Sequence, residues 1–123
     1  MIARAALSAM LPLLLAANAA ADDVGSGMAE LQKCKICHAL DASGGNRVGP
    51  NLHGLFGRKA GSVVGFNYSE AIKASGIVWD DETLAKFLRD PKDSLPGNRM
   101  AFPGIEDDAI VHDLLRQLKQ ATE

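Results

Sequence analysis

Both cysteines of this 123-residue chain stand within one short run, Cys34-Lys35-Ile36-Cys37-His38. On a helix, side chains three and four places apart share a face, so the two thiols and the imidazole after them project to the same side. The fold must therefore accommodate whatever these thiols hold: a disulfide, a metal, or a covalently attached group. A thioredoxin-like redox pair belongs at the end of a strand in a βαβ unit, and no such pattern is visible. A structural zinc site needs four closed ligands, and only His53 and His112 remain as further histidines, without finger or ribbon spacing. A plain disulfide leaves residues 41–65 without purpose. That stretch holds seven glycines and Pro50 but few large apolar side chains, chiefly Leu52, Leu55 and Phe56. A loop of this length in a small domain usually wraps or does something.

The N-terminal segment bears on the redox compartment. Ala5 to Ala21 has no charged residue, follows Arg4, carries Leu11, Leu13, Leu14 and Leu15, and ends in alanines before Asp22. This is the layout of a secretory signal peptide, cleaved after Ala21 or after Ala19. Residues 1–21 are thus expected to be removed, leaving residues 22–123 as one domain exported to the periplasm. An uncleaved membrane anchor is the alternative, but 17 residues interrupted by Pro12 fall short of the roughly 20 that span a bilayer. Loss of Arg4 leaves 12 basic against 15 acidic residues, net −3, which is no nucleic-acid-binding profile. A domain of about 100 residues buries only about two-thirds of its surface, so a large apolar cofactor would add materially to its core. In an oxidising compartment, Cys-x-x-Cys-His reads as the attachment signature of a c-type haem. One haem would be bound through Cys34 and Cys37, with His38 as an iron ligand.

Helical periodicity predicts a first helix from Val24 to about His38, with Met28, Leu31 and Cys34 on one side. A short helix is expected over Glu70–Ser75, ended by Gly76. Asp80 is a good N-cap for the next helix, with Trp79 and Leu84 as a hydrophobic staple and Pro91 as its stop. The segment from Pro91 to Gly104 reads as a loop stiffened by Pro91, Pro96 and Pro103. A last helix is expected from about Ile105 to Ala121, with Ile110, Val111, Leu114, Leu115 and Leu118 on its buried face. No strand pattern, repeat or low-complexity tract stands out, so the domain reads as all-α with long loops.

A second iron ligand follows by elimination. Cleavage would remove Met1 and Met10, leaving Met28 and Met100. Met28 lies on the helix leading into the attachment site and reads as a core methionine. His53 lies in the first loop, on the proximal side, and His112 on the solvent flank of the last helix. Met100, in the stiffened run Pro96-Gly97-Asn98-Arg99-Met100, suits presentation of a thioether to the far face of the haem.

Four further segments carry a family likeness: Gly49-Pro50-Asn51-Leu52-His53-Gly54-Leu55-Phe56-Gly57-Arg58, Gly65-Phe66-Asn67-Tyr68-Ser69, Gly76-Ile77-Val78-Trp79 and Pro96-Gly97-Asn98-Arg99-Met100. With the attachment motif and in this order, they resemble the class I c-type cytochromes, the family of mitochondrial cytochrome c and its periplasmic bacterial relatives. The resemblance implies an all-α class I cytochrome c fold, about four to five helices with long loops around one covalent haem. It also implies that the Pro50 carbonyl accepts from the imidazole of His38, and that Arg58, Tyr68 and Trp79 hydrogen-bond a haem propionate. The sequence departs from the family at Ile72, where Asn is usual, at Phe87, where Tyr is usual, at Asn98, where Thr is common, and at Leu31, where an aromatic is usual. Ile72 and Phe87 predict a drier pocket and a more tenacious iron–sulfur bond. Family lysines that replace methionine at high pH reduce here to Lys92 in that loop, because Asp93 and Arg99 take the other places.

A His/Met-ligated haem has no open coordination position and a raised potential, which suits outer-sphere electron transfer rather than catalysis. The expected role is a monomeric, soluble carrier between a cytochrome bc-type complex and a terminal oxidase, photosynthetic reaction centre or periplasmic dehydrogenase. A haem enzyme or gas sensor with an open iron site is the alternative. Lys33, Lys35, Arg47, Lys92 and Arg99 are expected to ring the haem edge and to dock transient redox partners. The acidic groups (Asp22-Asp23, Asp80 to Glu82, Glu106 to Asp108) should lie elsewhere, making a dipole that orients docking.

Overall fold

The computed structural model describes residues 2–3, 5–6, 8–14 and 20–123, with the helical side chains from Ser26 onward. Arg4, residues 15–19 and the cleavage option after Ala19 lie outside the described residues, as do the side chains of Asp22 and Asp23. Among the described residues there are five helices: α1 Ala20–Cys37, α2 Glu70–Ala74, α3 Asp81–Arg89, α4 Pro91–Ser94 and α5 Asp108–Thr122. There is no strand among the described residues, only one isolated antiparallel bridge between Lys59 and Val78. None of the helices is long and apolar enough to cross a membrane, again among the described residues.

Helix α1 packs across α5, and α3 packs on both α5 and α4. The α1–α5 crossing depends on Gly27, because a Cβ there would overlap the side chain of Asp113. Leu31, one turn on, is 4% exposed, and Val111 and Leu114 on α5 are fully buried. The inward stripe of α1 is therefore buried Gly27 and Leu31, continued by half-buried Cys34. Met28 lies beside it and is 43% exposed, so the expectation of a core methionine there is wrong: the closest approach to α5 goes to the residue without a side chain.

Helix α3 starts as expected. The Asp80 carboxylate accepts from the Thr83 N–H at 2.8 Å, and the Thr83 hydroxyl accepts from the Asp80 N–H at 2.9 Å. This reciprocal pair satisfies two otherwise orphaned donors. Leu84, Phe87 and Leu88 bury the inner face. Pro91 does more than stop α3. With its fixed φ and missing N–H it suits the first position of a helix, and Asp90 caps the new turn by accepting from the Asp93 N–H at 3.1 Å. Helix α5 begins three residues later than the apolar pattern suggests, because Asp107 is the N-cap and accepts from the N–H groups of Ala109 and Ile110. Ile105 instead belongs to an extended link, buried and donating to the Leu88 carbonyl at 2.9 Å. At the far end of α5, the Thr122 carbonyl accepts from the Gly54 N–H at 2.7 Å, which ties the glycine-rich loop to the helix bundle.

Candidate functional site

A cavity of about 550 Å³ lies between the C-terminal end of α1, the glycine-rich loop, α3 and the loop after α4. Its walls are mainly apolar, among them Leu52, Leu55, Ile72, Trp79, Phe87 and Leu88. Cys34, Cys37 and His38 all line it, as the five-residue motif requires. The His38 backbone N–H still bonds back to the Cys34 carbonyl at 3.0 Å, so the helical register carries through the motif.

The His38 ring is held by Nδ1, which lies 2.7 Å from the Pro50 carbonyl. A carbonyl only accepts, so Nδ1 carries the proton and Nε2 keeps its lone pair. Burial holds the imidazole below its ordinary pKa, with the cations of Arg58 and Arg47 adding to this and the Pro50 bond opposing it. The ring is thus a neutral donor of fixed tautomer, the form that ligates a metal. Gly49 makes this geometry possible. Its N–H donates to the Cys37 carbonyl at 2.9 Å, and a Cβ at this position would overlap the His38 ring. The Cys34 thiol is pushed up to about 11, first by burial and then by the nearby Glu30.

Met100 also lines the cavity. Of the described methionines it alone does so: Met10 is 97% exposed and Met28 lies outside the lining. His53 and His112 are exposed and are likewise not brought to the cavity. The turn that carries Met100 is Leu95-Pro96-Gly97-Asn98, closed by the Asn98 N–H donating to the Leu95 carbonyl at 3.1 Å. Gly97 has φ 91°, the value that a type II turn needs at its third residue.

Arg58, Tyr68 and Trp79 line the same cavity. The Arg58 Nη1 donates to the carbonyls of Asn51 at 2.9 Å and His53 at 3.3 Å, which leaves donors at Nη2 and Nε for an acid. The Tyr68 hydroxyl accepts from the Val63 N–H at 3.1 Å and keeps its own proton to donate. A large, flat, apolar group bearing carboxylates fits this donor set, with thiols and an imidazole on one wall and a thioether in the lining. The two departures also sit here: Ile72 is in the wall, and Phe87, buried, packs its ring 5.2 Å from that of Trp79.

The five expected docking cations are all exposed, but three are not idle. Lys33 pairs with Glu30 at 2.9 Å, and the Arg99 Nη2 donates to the Asn67 carbonyl at 2.8 Å. Arg47 donates to the carbonyls of Lys35 and Ile36 at 3.0 and 3.2 Å, capping the last turn of α1. Ile36 and Val48, 69% and 79% exposed, add apolar surface beside the motif. Sequence reasoning missed the Arg47 cap, the steric role of Gly49 and the bonding of Asn98. Only Asn98 had a local signal, an Asx residue just after Pro-Gly.

No protein-family model matches the sequence. The chain is 45% identical over 104 residues to cytochrome c2 of Blastochloris viridis, covering 85% of this chain and 82% of that protein. It is 48% identical over 91 residues to cytochrome c of Stellaria longipes, covering 74% and 84%. Among solved structures it is similar to cytochrome cH from Methylobacterium extorquens, with a TM-score of 0.71 at 41% identity over 80% of this chain and 98% of that one.

Proposed function

The chain belongs to the class I c-type cytochromes, electron carriers with one covalent haem c, and on that premise we propose that it is a soluble periplasmic shuttle whose iron is ligated by His38 and Met100. The observation that carries the ligand set is the shared cavity. It holds a neutral imidazole fixed by Pro50 and the one described methionine that reaches the lining. Cys34 and Cys37 would take the two thioether bonds, and Arg58, Tyr68 and Trp79 would offer donors to a propionate. When bound, haem supplies a one-electron couple, which methionine ligation shifts to higher potential. The chain's own residues would exclude water from it, with Pro50 orienting the His38 imidazole and Met100 leaving no position open to other ligands.

Electrons would pass to and from a cytochrome bc-type complex and an oxidase, reaction centre or periplasmic dehydrogenase. Partners would dock at the exposed cations Lys33, Lys35, Arg47, Lys92 and Arg99, with exposed Ile36 and Val48 adding apolar surface. Such contacts are weak and screened by salt. The removal of residues 1–21 rests on the export segment, and intact mass of the periplasmic protein tests it: a chain still carrying residues 1–21 would overturn it. For the site, the ferric protein should show the far-red sulfur-to-iron charge-transfer band and lose it in Met100→Ala. A band absent from the wild type would favour the open-iron alternative. Oxidation rates with candidate partners should fall as ionic strength rises, and salt-independent rates would remove the docking face.

A further inference from the structure

The side chain of Asn98 stands two residues before Met100 and uses both of its functional ends. Its Nδ2 donates to the Pro91 carbonyl at 2.7 Å and to the Leu95 carbonyl at 2.8 Å. Its Oδ1 accepts from the Met100 N–H at 3.0 Å. The first two bonds tie the turn to helix α4, adding a second donor to the Pro91 and Leu95 carbonyls that already accept from the N–H groups of Leu95 and Asn98. The third is an Asx turn on the backbone of Met100 itself. Pro91 is fully buried and begins α4, which packs on α3, so the anchor point belongs to the packed part of the molecule. A second tie runs outward, where the Arg99 Nη2 bonds the Asn67 carbonyl at 2.8 Å. A hydroxyl at position 98 could replace only part of this, since it has one proton to donate where the amide has two.

We propose that Asn98 is the positioning residue for Met100, a clamp that joins its backbone to α4 and holds the thioether in the cavity. This rests on the reading of Met100 as an iron ligand. Withdrawal of the methionine from the iron moves the Met100 backbone, and so breaks the Oδ1 bond and loosens the two Nδ2 bonds. Without the amide, the withdrawn state loses less relative to the bound one. Exogenous ligands that must displace methionine should then bind more tightly.

The test is imidazole binding to the ferric, haem-loaded protein, followed by loss of the far-red band. All three Asn98 hydrogen bonds are part-buried, and each stabilises the state that makes it. Asn98→Ala should therefore raise the imidazole association constant about tenfold, equivalent to about 1.4 kcal/mol. Asn98→Thr, which keeps one donor and one acceptor, should fall between wild type and alanine, and it carries the test if the alanine variant does not fold. Val111→Ala, in the α1–α5 interface away from the loop, should lower the melting temperature yet leave imidazole affinity at the wild-type value. Wild-type affinity in both Asn98 variants would overturn the clamp. So would a gain in Val111→Ala as large as that in Asn98→Ala, because global stability would then govern the loop. A wild-type protein without the band would overturn the ligand assignment itself, and the clamp with it.

Discussion

Gly49→Ala probes the link between a backbone position and the His38 imidazole. The added Cβ would overlap the Nδ1, Cε1 and Nε2 atoms of His38 together. The ring cannot rotate away without giving up its 2.7 Å bond to Pro50, and Gly49 is buried, so the loop has little freedom to retreat. Overpacking of this kind costs roughly 1–3 kcal/mol, and a lost hydrogen bond adds about 1 kcal/mol. In a domain of about 100 residues each kcal/mol moves the melting temperature by roughly 4–8 °C, so a total of about 2–4 kcal/mol should lower it by about 8–32 °C. The reduction potential should rise in the same variant, because an imidazole freed from its carbonyl partner is a less basic donor and supports the ferric iron less well. Thermal unfolding followed at the haem absorption and a redox titration read the two effects. Gly45→Ala is the matched control, since a Cβ there meets nothing within 4 Å. If Gly49→Ala and Gly45→Ala behave alike, the packing account of His38 is wrong.

The α1–α5 crossing gives a second prediction. Gly27→Ala should destabilise by up to about 2 kcal/mol, the overpacking cost of roughly 1–3 kcal/mol less the helix-propensity gain of about 1 kcal/mol. Adding Asp113→Ala should recover most of it, and additive single effects in a double-mutant cycle would refute the contact. In the pocket, the pair Ile72→Asn/Phe87→Tyr should admit polar groups beside the methionine and bring loss of the charge-transfer band to lower pH; an unmoved midpoint sinks the idea of a drier, more tenacious site. If Lys92 replaces Met100 at high pH, Lys92→Ala should raise that midpoint, and an unchanged titration excludes Lys92.

Much of this protein could be read along the chain, because its main determinants act over short spans. The run from Cys34 to His38 defines its chemistry within about one helical turn. Asp80 with Thr83 and Asp107 with the two residues after Ala109's predecessor show why helix starts are local: a carboxylate finds its N–H partners two or three residues on. Even so, apolar spacing placed the start of α5 at Ile105, since periodicity reports burial and not helix, and Ile105 is buried in an extended link. Pro91 looked like the end of a helix and also begins one, because the same missing N–H serves both purposes.

Other features depended on segments far apart in the chain. Met28 and Gly27 cannot be ranked for burial without knowing that α5 crosses at Gly27 and brings Asp113 against it. Arg47 looked like a docking cation, and only the return of its loop to α1 reveals it as the cap on the carbonyls of Lys35 and Ile36. The attachment motif, the methionine and the loop between them were thus determined by the sequence alone, through residue types whose chemistry admits few other uses. The tertiary structure decided that Gly27 rather than Met28 meets α5, and that Arg47 turns back onto the end of α1. It also decided which glycine leaves room for the imidazole, because those outcomes depend on close approach between distant parts of the chain, which local sequence does not encode.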